Sequence, residues 1–300
     1  YRMSTFDFLT NKADGHGNDW PIRYEDLAPW YEYVERFVGI SGSSEYLPQL
    51  PDSVFQPPFE MTLPERDFSE KMRELEPNKP VIISRCAHLT QPEKIQVDLG
   101  RMKCIARNEC QKGCSLGAYF STQSATLPAA ANTGNLYIAP NSVVESLIYD
   151  ANTNRVRGVR VVDNETMLQR EYFGKIIFLC ASTLGTTQIM LNSKSRRFPN
   201  GIANSSGVLG HYLMDHNYNA MVTADIDGYE DEYYSGRRPA SLYIPNWHYE
   251  PSRYHRDFKR GYALAGSASR VDWQDMGVSD GFGTSFKAKL HNPGTWMMGL

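Results

Sequence analysis

KIIFLCASTLGTTQIMLN, residues 175–192, decides the fold class. Residues 175–181 are apolar on both faces, the pattern of a central strand covered on each side in a layered α/β sheet. They pass through Ser182 and Thr183 straight into a helical run over residues 184–192. A strand that feeds directly into a helix sets backbone N–H groups and the positive end of a helix dipole at the sheet's edge, a geometry that favours phosphate. Most such joins bind nothing, so the join alone names no ligand.

Upstream of this stretch the sequence reads as β structure, with strands expected over residues 136–139, 143–149, 156–162 and 167–172 and a turn at 150–154. Downstream, GVLGHYLMDH at residues 207–216 closes the region. Beyond it the texture changes to alternating, aromatic-rich runs at 218–226, 240–247, 261–271, 284–290 and from 296 onward, as in an antiparallel sheet. A boundary is therefore expected near Asn217. Tyr243, Trp247, Trp273 and Trp296 offer ring faces to a sugar, although aromatic residues in sheets more often serve packing.

Toward the N-terminus, residues 20–39 carry Trp30, Tyr33, Val34, Phe37 and Val38 at the spacing of one helical face, with Pro29 suited to the first turn and Gly39 to the stop. That stripe is expected to be core. An irregular connection over 41–64, a short helix over 67–75 and a strand over 81–85 follow, leading to His88, read as a polar loop residue.

The 300 residues, 41% hydrophobic with a net charge of -3, describe a globular chain with no basic field for a polyanion, so nucleic acid is an unfavourable partner. No apolar run approaches the roughly 20 residues that span a bilayer. The chain starts without an initiator Met and stops just after the apolar run GTWMMGL, so it reads as the interior of a longer polypeptide.

Chemistry concentrates in RMKCIARNECQKGCSLG, residues 101–117. Cys104, Cys110 and Cys114, spaced C-x5-C-x3-C, can turn three sulfurs toward one point, and Gly113 and Gly117 let the backbone bend around it. Arg101, Lys103, Arg107 and Lys112 surround them against one acid, Glu109, a field that would stabilise an anionic cluster or depress thiol pKa values. From the spacing alone, an iron-sulfur cluster, a disulfide with one thiol left over, a zinc ion and three plain thiols all stay open. Zinc would want a fourth ligand, and no further Cys or His lies in the loop. Cys180 and Cys86 read as core thiols. No catalytic residue stands out: His16, His211, His216, His248, His255 and His291 are scattered.

Taken together, DWPIRYEDLAPWYEYVERFVGISG, the cysteine loop with the following AYFSTQSATLPAA, CASTLGTTQIMLNS and GHYLMDH resemble the glucose-methanol-choline oxidoreductases, in their bacterial sugar and polyol dehydrogenase branch. The resemblance implies an α/β fold, α+β overall, in which a partial Rossmann-like FAD-binding domain joins an antiparallel-sheet substrate domain. Residues 1–80 would link the two domains, 81–216 with the loop 101–117 would belong to the flavin domain, and 217–300 to the substrate domain. FAD would be approached by Ala181, Ser182 and Thr183, with Val144 near its adenine. Ser182 stands where the family has glycine, Thr187 where it has proline, and Tyr212 replaces an asparagine. Some members of the branch carry a three-iron cluster on the same cysteine spacing, which implies Cys104, Cys110 and Cys114 as its ligands, a cytochrome c acceptor subunit, a small accessory subunit and a periplasmic setting. The family's glycine fingerprint is expected upstream, and its proton-accepting histidine pair beyond residue 300. Two other readings stand beside this one: a flavoenzyme with a disulfide in the loop that passes electrons to oxygen or quinone, and a non-catalytic metal-binding module.

Overall fold

The computed structural model describes all residues except 108, 216–219, 230–238, 259, 271–281 and 291–294, and the side chains of 289 and 290. The chain divides into two compact units, Tyr1–Asn135 with Ala220–Leu300, and Leu136–Asn219. This grouping differs from the division expected at residues 80 and 216, because the cysteine loop falls in the same unit as the C-terminal strands.

In the first unit, α1 (Thr5–Asp14) begins where the Asp7 carboxylate accepts the Ser4 backbone N–H at 2.6 Å, and it ends at the left-handed Gly15. Helix α2 (Tyr24–Val38) places Pro29 inside the helix, not in its first turn. Arg2 joins its N-terminal segment to α2 through a buried ion pair with Glu35 at 2.8 Å and a hydrogen bond to the Tyr24 hydroxyl at 2.8 Å. The apolar stripe of α2 does not form core. Trp30 and Tyr33 are each 67% exposed and Val34 is exposed too, while Val38 at the helix end is buried. Periodicity fixes which residues share a face, but only a partner surface buries that face.

Helix α3 (Leu63–Leu75) lies over a five-stranded antiparallel sheet in the order β1-β6-β7-β8-β5. Its strands are β1 (Ile82–Ile83), β5 (Thr223–Ile226), β6 (Leu242–Ile244), β7 (Leu264–Ser269) and β8 (Trp296–Gly299). Val81, Leu242, Ile244, Ala268, Trp296 and Met298 form the core, with Met61, Phe68 and Met72 packed against them. Glu65, fully buried, fastens helix to sheet: its carboxylate accepts the Thr62 N–H at 2.8 Å and the Ala268 N–H at 3.0 Å. The antiparallel expectation holds here, except that residues 284–290 form helix α7 (Thr284–Leu290), not a strand. Trp296 is a core residue whose indole N–H donates to the Tyr229 carbonyl at 3.1 Å, so it offers no face to a sugar. Tyr243 is stacked on Tyr1, with ring centroids 4.5 Å apart, and Trp273 lies outside the described residues. Two short helices complete the unit, α4 (Lys94–Val97) and α5 (Leu127–Ala131).

In the second unit, β2 (Ser142–Asp150), β3 (Arg155–Asp163) and β4 (Gln169–Phe173) form an antiparallel meander, close to expectation. Gly158 is required where β3 meets β4, since a Cβ there would stand 2.4 Å from the Tyr172 carbonyl oxygen. Residues 136–139 form no strand, and Leu136, Tyr137 and Ile138 are exposed. The larger correction concerns residues 175–181. They pair with no strand among the described residues, Ile176 and Phe178 are 74% and 80% exposed, and Cys180 is exposed rather than a core thiol. A central strand exists only where neighbours on both sides take up its N–H and C=O groups, and the meander supplies none. Helix α6 (Ser182–Asn192) follows at once, as expected. It packs through the buried Ile189 and is anchored by Ser193, whose Oγ accepts the Leu147 N–H at 2.8 Å.

Candidate functional site

Two candidate sites stand in the described structure, one in each unit. In the second unit, Ser182 begins α6 with φ of 60°, the left-handed region that favours glycine. The serine thus keeps the backbone shape of the glycine it replaces in the resembled pattern. Ala181, at the N-cap position, supplies no side-chain cap, and Ser182, Thr183 and Leu184 are exposed, so the first-turn N–H groups of α6 face outward at the positive end of its dipole. Gly185 keeps this join tight: a Cβ there would stand 3.2 Å from the Ala181 Cβ.

Two concavities flank the join. One, of about 470 Å³, is lined by Val144 and Ala181 together with Val159, Tyr172 and residues 176–180. The other, of about 520 Å³, brings Thr183, Thr187 and Gln188 together with Gly210, His211 and Tyr212. The structure therefore gathers Val144, Ala181, Ser182 and Thr183 around one helix start and adds residues 210–213, all within a single unit. His216 lies outside the described residues. These polar, uncapped donors beside an apolar wall suit the pyrophosphate and flat rings of a dinucleotide such as FAD.

In the first unit the cysteine loop is held by its ends. Arg101, 1% exposed, donates from Nε to the Gly117 carbonyl at 2.9 Å and from Nη1 to the Val38 carbonyl at 2.7 Å. Burial pulls its pKa below the ordinary guanidinium value, and the nearby Cys114 opposes that shift. Arg101 is thus a clamp, not a member of a solvent-facing basic field. Lys103, Arg107 and Lys112 are exposed, and Arg107 pairs with Glu109 at 3.2 Å. Gly113 and Gly117 adopt φ of 98° and 60°, which confirms their role in bending the loop.

Cys104, Cys110 and Cys114 line one cavity, and none of the five cysteines is in a disulfide. The same cavity is lined by His88, whose sequence context marks it only as a polar loop residue. Its imidazole is only 7% exposed, stacked on Tyr119 with ring centroids 4.7 Å apart and set edge-on to Phe59. Neither ring nitrogen has a hydrogen-bond partner, and burial lowers its pKa to about 4, so the ring is neutral at neutral pH. The donor set suits a soft metal. As it stands, however, the cavity has room for about 20 Å³, one ion or water in size. Among the described residues, no three His, Cys, Asp or Glu side chains are grouped closely enough to hold a metal ion. As placed, the three cysteines and His88 share a cavity without forming a metal centre.

The chain belongs to the GMC oxidoreductase family, whose pattern matches residues 13–218, and the members of that family are enzymes acting on CH–OH donors. It is 28% identical over 302 residues to 2-methyl-1,2-propanediol dehydrogenase of Mycolicibacterium austroafricanum, a match that covers 96% of this chain and 48% of that protein. It is 30% identical over 224 residues to the fructose dehydrogenase large subunit of Gluconobacter japonicus, covering 72% of this chain and 38% of that protein. The chain thus spans half or less of the length of these relatives. Among the described residues no helix is long and apolar enough to cross a membrane.

Proposed function

We propose that this protein is an FAD-dependent dehydrogenase that oxidises a hydroxyl of a sugar or polyol to a carbonyl. The observation that carries the reading is the left-handed Ser182 at the uncapped start of α6, set between walls that contain Val144, Ala181 and Thr183. Family membership and two relatives named as dehydrogenases of a diol and of fructose support the reaction class. Bound at this join, FAD would supply the acceptor for the hydride that leaves the hydroxyl-bearing carbon. The residues of this chain would bind and orient it. The α6 N–H groups would serve its pyrophosphate, Val144 and residues 176–181 would give its rings an apolar wall, and Thr183 and Gln188 would offer polar contacts.

The finer reading places the exit for electrons at the cysteine loop, as an iron-sulfur centre delivering to a cytochrome c subunit in the periplasm. Its support is the C-x5-C-x3-C spacing, the convergence of the three cysteines on one cavity and a relative named as a large subunit. The alternative with a loop disulfide finds no support in the described cysteines, none of which is in a disulfide. Purification followed by flavin extraction and iron analysis tests both levels: FAD with iron supports the whole reading, FAD without iron removes the relay, and absence of flavin overturns the function.

A further inference from the structure

FAD has two unlike halves joined by its pyrophosphate. At one end is adenine, a flat ring; at the other a hydroxylated ribityl chain carries the isoalloxazine, whose outer edge bears carbonyls and an N–H. The two concavities at the start of α6 differ in the same sense. The one that Ala181 lines is walled by Val144, Val159, Ile176 and Phe178. The one that Thr183 lines presents Thr187, Gln188, Asn192 and His211 beside Tyr212. The apolar concavity suits adenine, and the polar one suits the ribityl hydroxyls.

Within the polar concavity, Tyr212 is the residue whose state needs a reason. Its φ is 61°, in the left-handed region where a bulky side chain is strained. Its ring is 87% exposed, so burial does not offset that strain. The chain before it is fastened to α6: the Ile202 N–H donates to the Met190 carbonyl at 3.0 Å, and at Gly210 a Cβ would stand 3.4 Å from Thr187 Cγ2. The Leu209 N–H donates to Asn204 Oδ1 at 3.1 Å and the His211 N–H to the Val208 carbonyl at 3.0 Å. A fixed segment thus presents an open aromatic ring beside the helix start, with the His211 ring 6.1 Å away and tilted.

We propose that Tyr212 is the residue on which the isoalloxazine ring stacks, with the ribityl chain along Thr183, Thr187 and Gln188 and the adenine in the apolar concavity. The inference rests on the FAD reading of this join and adds to it the direction in which the cofactor lies. An offset stack on the phenol ring adds affinity. A phenol against the isoalloxazine also quenches flavin emission by electron transfer, a signature that a purely structural tyrosine does not give.

The test titrates FAD into the flavin-depleted protein and three variants, recording dissociation constant, emission of the bound flavin and the thermal midpoint of the flavin-free form. Tyr212→Asn should weaken FAD binding by about 5-fold or more and brighten the bound flavin. Its flavin-free midpoint should be unchanged or higher, because asparagine tolerates the left-handed backbone. Tyr212→Phe keeps the ring and should hold affinity within about 2-fold while still brightening emission. Tyr172→Phe, in the apolar concavity, should change neither quantity. Unchanged affinity and emission in Tyr212→Asn, or weaker binding with unchanged emission, would overturn the stacking role. Brightening by Tyr172→Phe in place of Tyr212→Phe would overturn the direction of the cofactor, and a lowered midpoint in flavin-free Tyr212→Asn would make the tyrosine a folding residue instead. A wild type that takes up no FAD would overturn the flavin reading itself.

Discussion

Replacing Arg101 separates a structural clamp from a surface electrostatic field. Its guanidinium is 1% exposed and makes two short bonds, 2.9 Å to the Gly117 carbonyl and 2.7 Å to the Val38 carbonyl, so it ties the end of α2 to the far stem of the cysteine loop. Bonds from a charged donor contribute about 1.5–3 kcal/mol each, and a carbonyl left buried without a donor costs about 1–3 kcal/mol. Against this stands the desolvation of the guanidinium, which its lowered pKa records. Removing the charge returns part of that cost. Arg101→Met, which keeps most of the volume, should therefore lower unfolding free energy by about 2–4 kcal/mol. It should also raise the rate at which a thiol reagent labels Cys114, because one stem of the loop is released. The control is Arg107→Met: Arg107 is exposed and its contacts among the described residues, an ion pair with Glu109 and a 3.3 Å bond to the Ser115 hydroxyl, are exposed too, so its loss should cost less than about 1 kcal/mol. Urea unfolding read by near-ultraviolet circular dichroism gives the first quantity, and mass spectrometry after timed alkylation gives the second. Equal midpoints and equal labelling for the two variants would refute the clamp.

Three further outcomes follow from particular contacts. Burial lowers the pKa of His88 from 6.5 to about 4, so between those values the unfolded chain binds a proton that the folded state refuses. Stability should be at its full value above about pH 6.5 and fall as pH drops toward about pH 4, by about 1–2 kcal/mol after screening, and His88→Phe should remove that part of the slope in urea titrations at the two ends of the window. Ser182→Gly should stabilise the second unit by about 0.5–1 kcal/mol, since glycine enters the left-handed region without the strain a side chain adds there; an unchanged or lowered thermal midpoint would refute the assignment of φ. Gly266→Ala would place a Cβ 1.7 Å from the Gly299 carbonyl oxygen and should separate β7 from β8, with a loss of about 3 kcal/mol or failure to accumulate soluble protein, and wild-type solubility and midpoint would contradict that packing.

Local chemistry was legible in the sequence wherever local chemistry decides. Strands β2, β3 and β4 announced themselves because β-branched alternation is interrupted by the turn at 150–154, and Asn154 indeed takes a left-handed φ of 55° there. Helix α2 was legible from its period, but the exposure of Trp30 and Tyr33 was not, because burial depends on what meets the face. Residues 175–181 failed for the same reason: an apolar run acquires strand structure only from partners that hydrogen-bond to it. Residues 284–290 are ambiguous in sequence because seven residues with Phe286 and Leu290 fit either period, and the helical propensities of Lys287, Ala288 and Lys289 favour the helix that forms. Helix α1 carries its own sequence signal, Ser4 with Asp7 at the start and Gly15 at the end. At the loop, the spacing identified the cysteines, whereas the roles of Arg101 and His88 come from long-range neighbours, Val38 for the first and Phe59 for the second.

The most direct test of the central claim is the visible spectrum of the purified protein before and after anaerobic addition of a sugar or polyol. The account predicts the two absorption bands of oxidised flavin, one FAD released per chain on denaturation, and bleaching of those bands by substrate. A colourless protein, or a flavin that no sugar or polyol reduces, would contradict it.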